Sequence, residues 1–358
     1  MIPTTQQDIA DQLKLSRTTV SRCFTNHPGI NPETRAKVFA LASRLGYHYM
    51  EQRTGQPSSS GGKNVLAVLI CTDAEEYYRP DYESPGFEIL PGISEYALLR
   101  KMQLDVQLVP PRETSTRSAV YKKVMRSART WAGVLLVYPF PQSIIEEILA
   151  KYRCVSLVEQ YGVSSLDVVD VDHYKGISQL VDRLVMLGHK RIGFFSRHYQ
   201  VEACWAFRRF SAYVEKMARQ GFALGDLEIV NVQNFSIPQL EESHDYAAQK
   251  TREGITAWVC AADHQAYDLI AALEKRGLSV PRDVSVTGFD GVLRPKGGPD
   301  LTTAMIPYRQ IGWMGARRLS DLLGKTFGPT QHILLDCNIA EGATIGPVRT
   351  APSGSQLP

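Results

Sequence analysis

The chain has 358 residues, 44% of them hydrophobic and 22% charged, and a formal net charge of +3. That length suits two or three globular domains better than one. No apolar run approaches the ~20 residues of a membrane helix, and the polar opening Met1–Gln7 lacks the basic-then-apolar layout of an export signal. The expectation is a cytoplasmic protein without a membrane partner.

The excess charge is local. Residues 1–56 hold seven Lys/Arg (Lys14, Arg17, Arg22, Arg35, Lys37, Arg44, Arg53) against four acids (Asp8, Asp11, Glu33, Glu51), a surplus of three that equals that of the whole chain. A small basic module on a neutral body points to a polyanion at one end.

That module reads as three helices. Thr5 is placed to cap the first, with Asp8 three residues on and Ile9, Ala10 and Leu13 as its apolar stripe. Lys14-Leu15 makes a turn, and Ser16 can cap a second helix over Arg17–Phe24. Asn31, Pro32 and Glu33 form a helix start, followed by the stripe Val38, Leu41, Ala42 and Leu45, with Gly46 as the stop. Two short helices, a tight turn and a supporting third make a helix-turn-helix, whose second helix presents its N-terminal residues to the major groove. Arg17, Thr18 and Arg22 hold those positions; arginine can give two hydrogen bonds to guanine, and threonine suits a phosphate or a thymine methyl.

The stretch Asp8-Ile9-Ala10…Leu15-Ser16-Arg17-Thr18-Thr19-Val20-Ser21-Arg22, with Ile30-Asn31-Pro32-Glu33-Thr34-Arg35 and Leu45-Gly46-Tyr47, resembles the headpiece of the lac/gal repressor family. By that resemblance Arg17, Thr18 and Arg22 read bases, while Ser16, Thr19, Ser21 and Asn26 bind phosphates. The linker departs from the family. Tyr49 and Met50 stand where a proline and an asparagine are expected, and Gln56, followed by Pro57, stands where relatives place a leucine that wedges into the minor groove. Pro57–Gly62 reads as a flexible connector, with no wedge to kink the operator.

From Asn64 on, short apolar runs alternate with helical patterns. Ten strands are expected at 65–70, 105–109, 133–137, 154–158, 168–171, 191–195, 228–232, 257–260, 284–289 and 302–306. Ile177, Leu180, Val181, Leu184 and Val185 mark a helix stopped by Gly188, and Leu269, Ile270 and Leu273 one stopped by Gly277. Such alternation means parallel sheets covered on both faces, and ten strands suit two sheets better than one. The fold class is thus an N-terminal all-α helix-turn-helix domain plus an α/β core of two doubly wound parallel-sheet subdomains. Leu187–Ile192, Val280–Asp290 and Leu301-Thr302-Thr303 extend the resemblance over the body. It implies a periplasmic-binding-protein-like core with a ligand cleft between the subdomains. The corresponding division is 1–47 headpiece, 48–63 hinge, a core of 64–160 with 292–322 and 161–291 with 323–345, and a disordered tail over 346–358. The chain would cross between halves near 160, 291 and 322.

In open parallel sheets ligands bind beyond the carboxyl ends of strands. Asp73, Tyr138, Glu159, His198, Asp263 and Asp290 follow or end strands there, and carboxylates with aromatic rings suit a polyhydroxylated effector such as a carbohydrate. By resemblance Asp263 and Asp290 match ligand-binding positions. Three departures weaken the sugar reading: the family's arginine after the sixth strand falls on Ala206, its asparagine on Ala262 and its late arginine on Glu341, and Arg208 and Arg209 would point elsewhere on their helix.

No P-loop, nucleophile elbow, zinc-protease or dinucleotide motif occurs, so no catalytic residue and no cofactor is expected. The six cysteines lie far apart and mostly in apolar runs, which predicts buried thiols, and the histidines lack metal-ligand spacing, so no metal is expected either. His189, just past Gly188, reads as structural. The tail carries no leucine heptads, so the implied assembly is a homodimer on a pseudo-palindromic double-stranded operator. The alternative is a constitutive regulator whose cleft no longer binds a ligand.

Overall fold

The computed structural model describes residues 5–24, 27, 29–45, 64–72, 86–162, 165–197, 203–223, 228–230, 240–291, 294–324 and 329–348. The linker over 48–63, with Tyr49, Met50, Gln56 and Pro57, lies outside these residues, as do Asn26, Asp73 and His198.

The headpiece consists of α1 (Gln6–Leu13), α2 (Arg17–Phe24) and α3 (Pro32–Arg44). Its helix starts are chemically defined. Thr5 Oγ1 accepts from the Asp8 amide while the Asp8 carboxylate accepts from the Thr5 amide at 2.7 Å, a capping box. Ser16 Oγ accepts from the Thr19 amide at 3.0 Å, and Asn31 Oδ1 from the Glu33 amide at 2.7 Å. Ile9, Ala10, Val20, Cys23 and Val38 are fully buried where the three helices meet, and Phe24 packs on Phe39. Arg35 belongs to this interior: it is buried and donates from Nη2 to the His27 carbonyl at 2.8 Å. One of the seven cations counted in the sequence is therefore withdrawn from any polyanion.

The body divides into two compact units. The first contains β1 (Val65–Cys71), α4 (Gly86–Leu99), β2 (Gln103–Val109), α5 (Ala119–Val124), β3 (Trp131–Val137), α6 (Gln142–Leu149), β4 (Cys154–Leu157), β5 (Asp167–Val171), α11 (Tyr308–Leu323) and β11 (His332–Leu335). Its sheet runs β11-β5-β4-β3-β1-β2. The second contains α7 (His173–Met186), β6 (Ile192–Phe195), α8 (Cys204–Arg219), β7 (Glu228–Val230), α9 (Leu240–Arg252), β8 (Ala257–Cys260), α10 (Asp263–Lys275), β9 (Ser285–Asp290), β10 (Thr302–Met305) and β12 (Asn338–Ala340), and its sheet runs β12-β10-β9-β8-β6-β7. In each unit the second strand lies outside the first before the order reverses, between β1 and β3 and between β6 and β8. That is the switch point of a doubly wound sheet. Strands such as β1 and β3 are near-continuous apolar runs because helices cover both faces. In the first unit α4 and α11 approach closely: a β-carbon at Gly92 would collide with the Arg309 carbonyl, and one at Gly312 with that of Ile89. Helix α3 lies against α4 and β2 of this unit, with Glu33 3.5 Å from Arg309.

All ten expected strands are present. The expected crossings near 160, 291 and 322 are not where the chain changes sheets: β5 belongs to the first sheet, β10 to the second and β11 to the first, so each crossing comes later. β11 and β12 were absent from the expected set. Four and three residues long, they lie at sheet edges and contain no buried residue. β12 pairs antiparallel with β10, an exception to the parallel rule. The tail does not come free at 346. Val348 donates to the Leu187 carbonyl at 3.1 Å, and residues from 349 lie outside those described. Cys23, Cys71, Cys154, Cys260 and Cys337 are buried and Cys204 half-buried.

His189 pins that tail. Its Nδ1 lies 2.9 Å from Thr256 Oγ1, and its Nε2 lies 2.9 Å from the Gly346 carbonyl and 3.1 Å from Ser285 Oγ. Burial holds the ring below the usual histidine range, against a smaller opposing pull from the Gly346 carbonyl; burial does the same to His244. A histidine whose folded pKa is depressed favours folding fully above its unfolded value of about 6.5, and that contribution is lost as pH falls through this value toward the folded one. The thermal midpoint should therefore drop between about pH 7.5 and pH 5.5, and His189→Gln with His244→Gln should flatten the profile. A double variant with the wild-type slope would remove these rings as the cause.

Candidate functional site

On α2 the side chains sort by helical spacing. Val20, Cys23 and Phe24 face the headpiece core, whereas Arg17, Thr18 and Arg22 are exposed and Ser21 is partly so. Thr18 and Arg22, and likewise Arg17 and Ser21, are four apart and share one outward face. The Ser16 and Thr19 hydroxyls lie 2.9 Å from each other at the helix start, where Ser16 also caps, so both edge this face at the end where amide hydrogens point outward. The packing of α3 against the body leaves this face uncovered.

In the second unit the carboxyl ends of β8 and β9 carry the most constrained cluster. Arg209, on α8, is buried. Its Nη1 donates to Asp290 Oδ1 at 2.9 Å and to the Ala261 carbonyl at 2.5 Å, and its Nε donates to His173 Nδ1 at 3.2 Å. The guanidinium lies 3.9 Å from the Phe289 ring centroid and 4.6 Å from that of Trp205, so two aromatic faces hold its plane. Burial pushes the Asp290 carboxyl up, and the Arg209 charge beside it pulls it back. Asp290 also has φ 134, a region that side chains other than glycine rarely adopt. Residues held in this way concentrate at functional sites.

Asp263 lies in the same region with a different task. It is buried, and its carboxylate accepts from Thr303 Oγ1 at 2.5 Å and from the Gly291 amide at 2.8 Å. It thereby ties the start of α10 to β10 and to the turn leaving Asp290. Each of its two oxygens therefore already accepts one hydrogen bond from within the protein.

The first unit repeats the pattern of strain. Val137 pairs with Leu157, so Tyr138 and Glu159 emerge from adjacent strand ends. Tyr138 has φ 72 and Val158 φ 59, the latter in a β-branched residue. The Tyr161 hydroxyl donates to the Tyr138 carbonyl at 2.9 Å and accepts from the Phe140 amide at 2.6 Å, which fixes that loop. Glu159 is fully buried, and its carbonyl accepts from Ser156 Oγ at 2.6 Å.

The expected residues thus fall into two sets, Tyr138 with Glu159 and Asp263 with Asp290, each at the carboxyl edge of one sheet. The reading of α8 needs correction. Arg209, expected to point elsewhere, faces inward onto Asp290, while Arg208 is exposed. Trp205, His173 and Tyr161 were not singled out either. In the fold Arg209 shares the buried face of α8 with Ala212 and Tyr213, but helical spacing alone does not single it out, because exposed Arg208 also stands one turn before Ala212.

Residues 5–49 match the family described as bacterial regulatory proteins, lacI family, and residues 181–345 match the periplasmic binding protein-like domain. The HTH-type transcriptional regulator MalR of Streptomyces coelicolor is 29% identical over 350 residues, covering 94% of this chain and 95% of its own length. Among solved structures, the lac repressor dimer bound to operator and the anti-inducer ONPF superposes with a TM-score of 0.64 at 22% identity, covering 96% of this chain and 99% of that one. A complex of the transcriptional regulator CelR with cellobiose gives 0.62 at 19% identity, covering 95% and 99%. With its capped headpiece, its two doubly wound units and these matches along its length, the chain belongs to the lacI family of bacterial regulatory proteins and is a DNA-binding transcriptional regulator.

Proposed function

We propose that the protein is a cytoplasmic, non-enzymatic repressor that binds a pseudo-palindromic operator as a homodimer and responds to a small polyhydroxylated effector, a sugar or sugar derivative. Arg17, Thr18 and Arg22 read base edges, while Ser16, Thr19, Ser21 and Asn26 hold phosphates. The observation that carries the effector half is the buried Arg209–Asp290 pair, clamped by Trp205 and Phe289 at the carboxyl edge of the second sheet. A guanidinium and a carboxylate fixed side by side offer donors and acceptors to neighbouring hydroxyls, and Trp205 offers an apolar face to a sugar ring. The CelR relative, solved with cellobiose, supports the same ligand class. The effector acts by binding two conformations unequally.

The test begins with selection of the operator from a random DNA pool, followed by gel shifts against a panel of mono- and disaccharides. One of them should change operator affinity. Asp290→Asn, which keeps size but not charge, should raise the required concentration ~10-fold or more, the value of one hydrogen bond to a charged group, with effector-free DNA binding unchanged. An unshifted response would move the effector away from Asp290.

A further inference from the structure

We infer that the first unit carries a second ligand site, a basic groove beside α5 and the end of α6 that takes a small molecule bearing a chain of two or more phosphate groups. The groove is a cavity of about 740 Å³ whose lining includes Arg117, Lys122, Arg126, Arg129, Lys151 and Glu147. Its volume lies within the range of small-ligand pockets, roughly 300–1,000 Å³. Five cations face one carboxylate. None of the five is in an ion pair among the described residues, although they stand close together and repel one another. The one carboxylate is already engaged: Glu147 accepts from the Thr116 amide at 3.0 Å, from the Thr116 hydroxyl and from Ser115 Oγ at 3.1 Å.

The sequence shows the same bias. Between Glu113 and Glu146 there is no acidic residue, yet Arg117, Lys122, Lys123, Arg126 and Arg129 all fall there. Complementing the negative end of α5 accounts for Lys122 and Lys123. It does not account for Arg117, Arg126, Arg129 or Lys151, which come from three separate stretches of the chain. Arginine forks match phosphate oxygens in pairs, and cations converging from several segments suit an anion with more than one phosphate. Arg126, Arg129 and Lys151 precede β3 and β4, at the amino edge of the sheet, whereas Tyr138 and Glu159 leave the carboxyl edge. The groove is therefore separate from the effector residues of this unit.

The experiment is calorimetric titration of the full-length protein with inorganic tripolyphosphate at about 150 mM salt, where diffuse charge attraction is screened beyond ~8 Å. The expected result is saturable binding with one site per chain and much weaker binding of orthophosphate. Arg126→Gln with Arg129→Gln, both exposed, should weaken it ~10-fold or more. Arg100→Gln with Lys101→Gln, an equal loss of charge elsewhere on the unit, should leave it unchanged. Three results would overturn the inference: no saturable binding, equal weakening by both double variants, or binding lost on Arg17→Ala with Arg22→Ala, which would place the anion on the headpiece. A fourth would do the same: if the Arg126/Arg129 variant loses affinity for non-operator duplex DNA but not for tripolyphosphate, the groove tracks a DNA backbone instead.

Discussion

Arg209→Ala is expected to destabilise the protein by ~3–5 kcal/mol, because removing one partner of a buried ion pair leaves the other charge uncompensated in a medium that cannot solvate it. The side chains of Arg209 and Asp290 are 4% and 10% exposed, so little water could replace the lost guanidinium. The substitution also removes the donor to the Ala261 carbonyl and the cation from between Trp205 and Phe289. In thermal unfolding the second unit should melt on the order of 10 °C lower. A double variant, Arg209→Met with Asp290→Asn, separates stability from function. It removes both charges without leaving one buried alone, and asparagine tolerates a positive φ, so the midpoint should recover most of the loss while effector response stays absent. A single variant that melts within 1 °C of wild type would mean that the pair is hydrated in solution. Arg209→Lys keeps the charge but not the planar fork or the stacking, and should fall between the two.

Arg17→Ala should weaken binding to the selected operator by ~1–3 kcal/mol per half-site and relax preference at one base pair, the value of a bidentate contact to a base edge. The exposed start of α2 supports this, since Arg17 is the first residue of the helix and shares its outward face with Thr18, Ser21 and Arg22. Gel shifts on operators altered at single positions provide the measurement. Loss of affinity by the same factor on every sequence would assign Arg17 to a phosphate, because backbone contacts carry no base information. Arg35→Gln, by contrast, should act through folding of the headpiece, since Arg35 is buried against the His27 carbonyl.

Much of this protein is written locally. The capping box at Thr5 and Asp8, the caps at Ser16 and Asn31, and the stripe through Val38, Leu41 and Ala42 are short-range features, and the helices form where those residues stand. Strands such as β1, β3 and β8 were legible for the same reason: a strand buried on both faces is apolar along its length. Asp290 and Glu159 could be picked out because a charged residue directly after such a strand stands at the sheet edge where ligands bind.

Other features needed partners distant in sequence. Which sheet takes β5, β10 or β11 depends on which edge is open when the strand arrives, and nothing within four residues encodes that. The same holds for His189, whose role is set by Thr256, Ser285 and Gly346, and for Asp263, whose carboxylate is committed to Thr303 and Gly291. Arg209 shows the limit most clearly. In sequence it is one of two adjacent arginines on a helix, and charge alone argues that both face water. Only in three dimensions do Asp290, the Ala261 carbonyl, His173 and two aromatic rings converge on it, and only that convergence offsets the desolvation of a buried guanidinium.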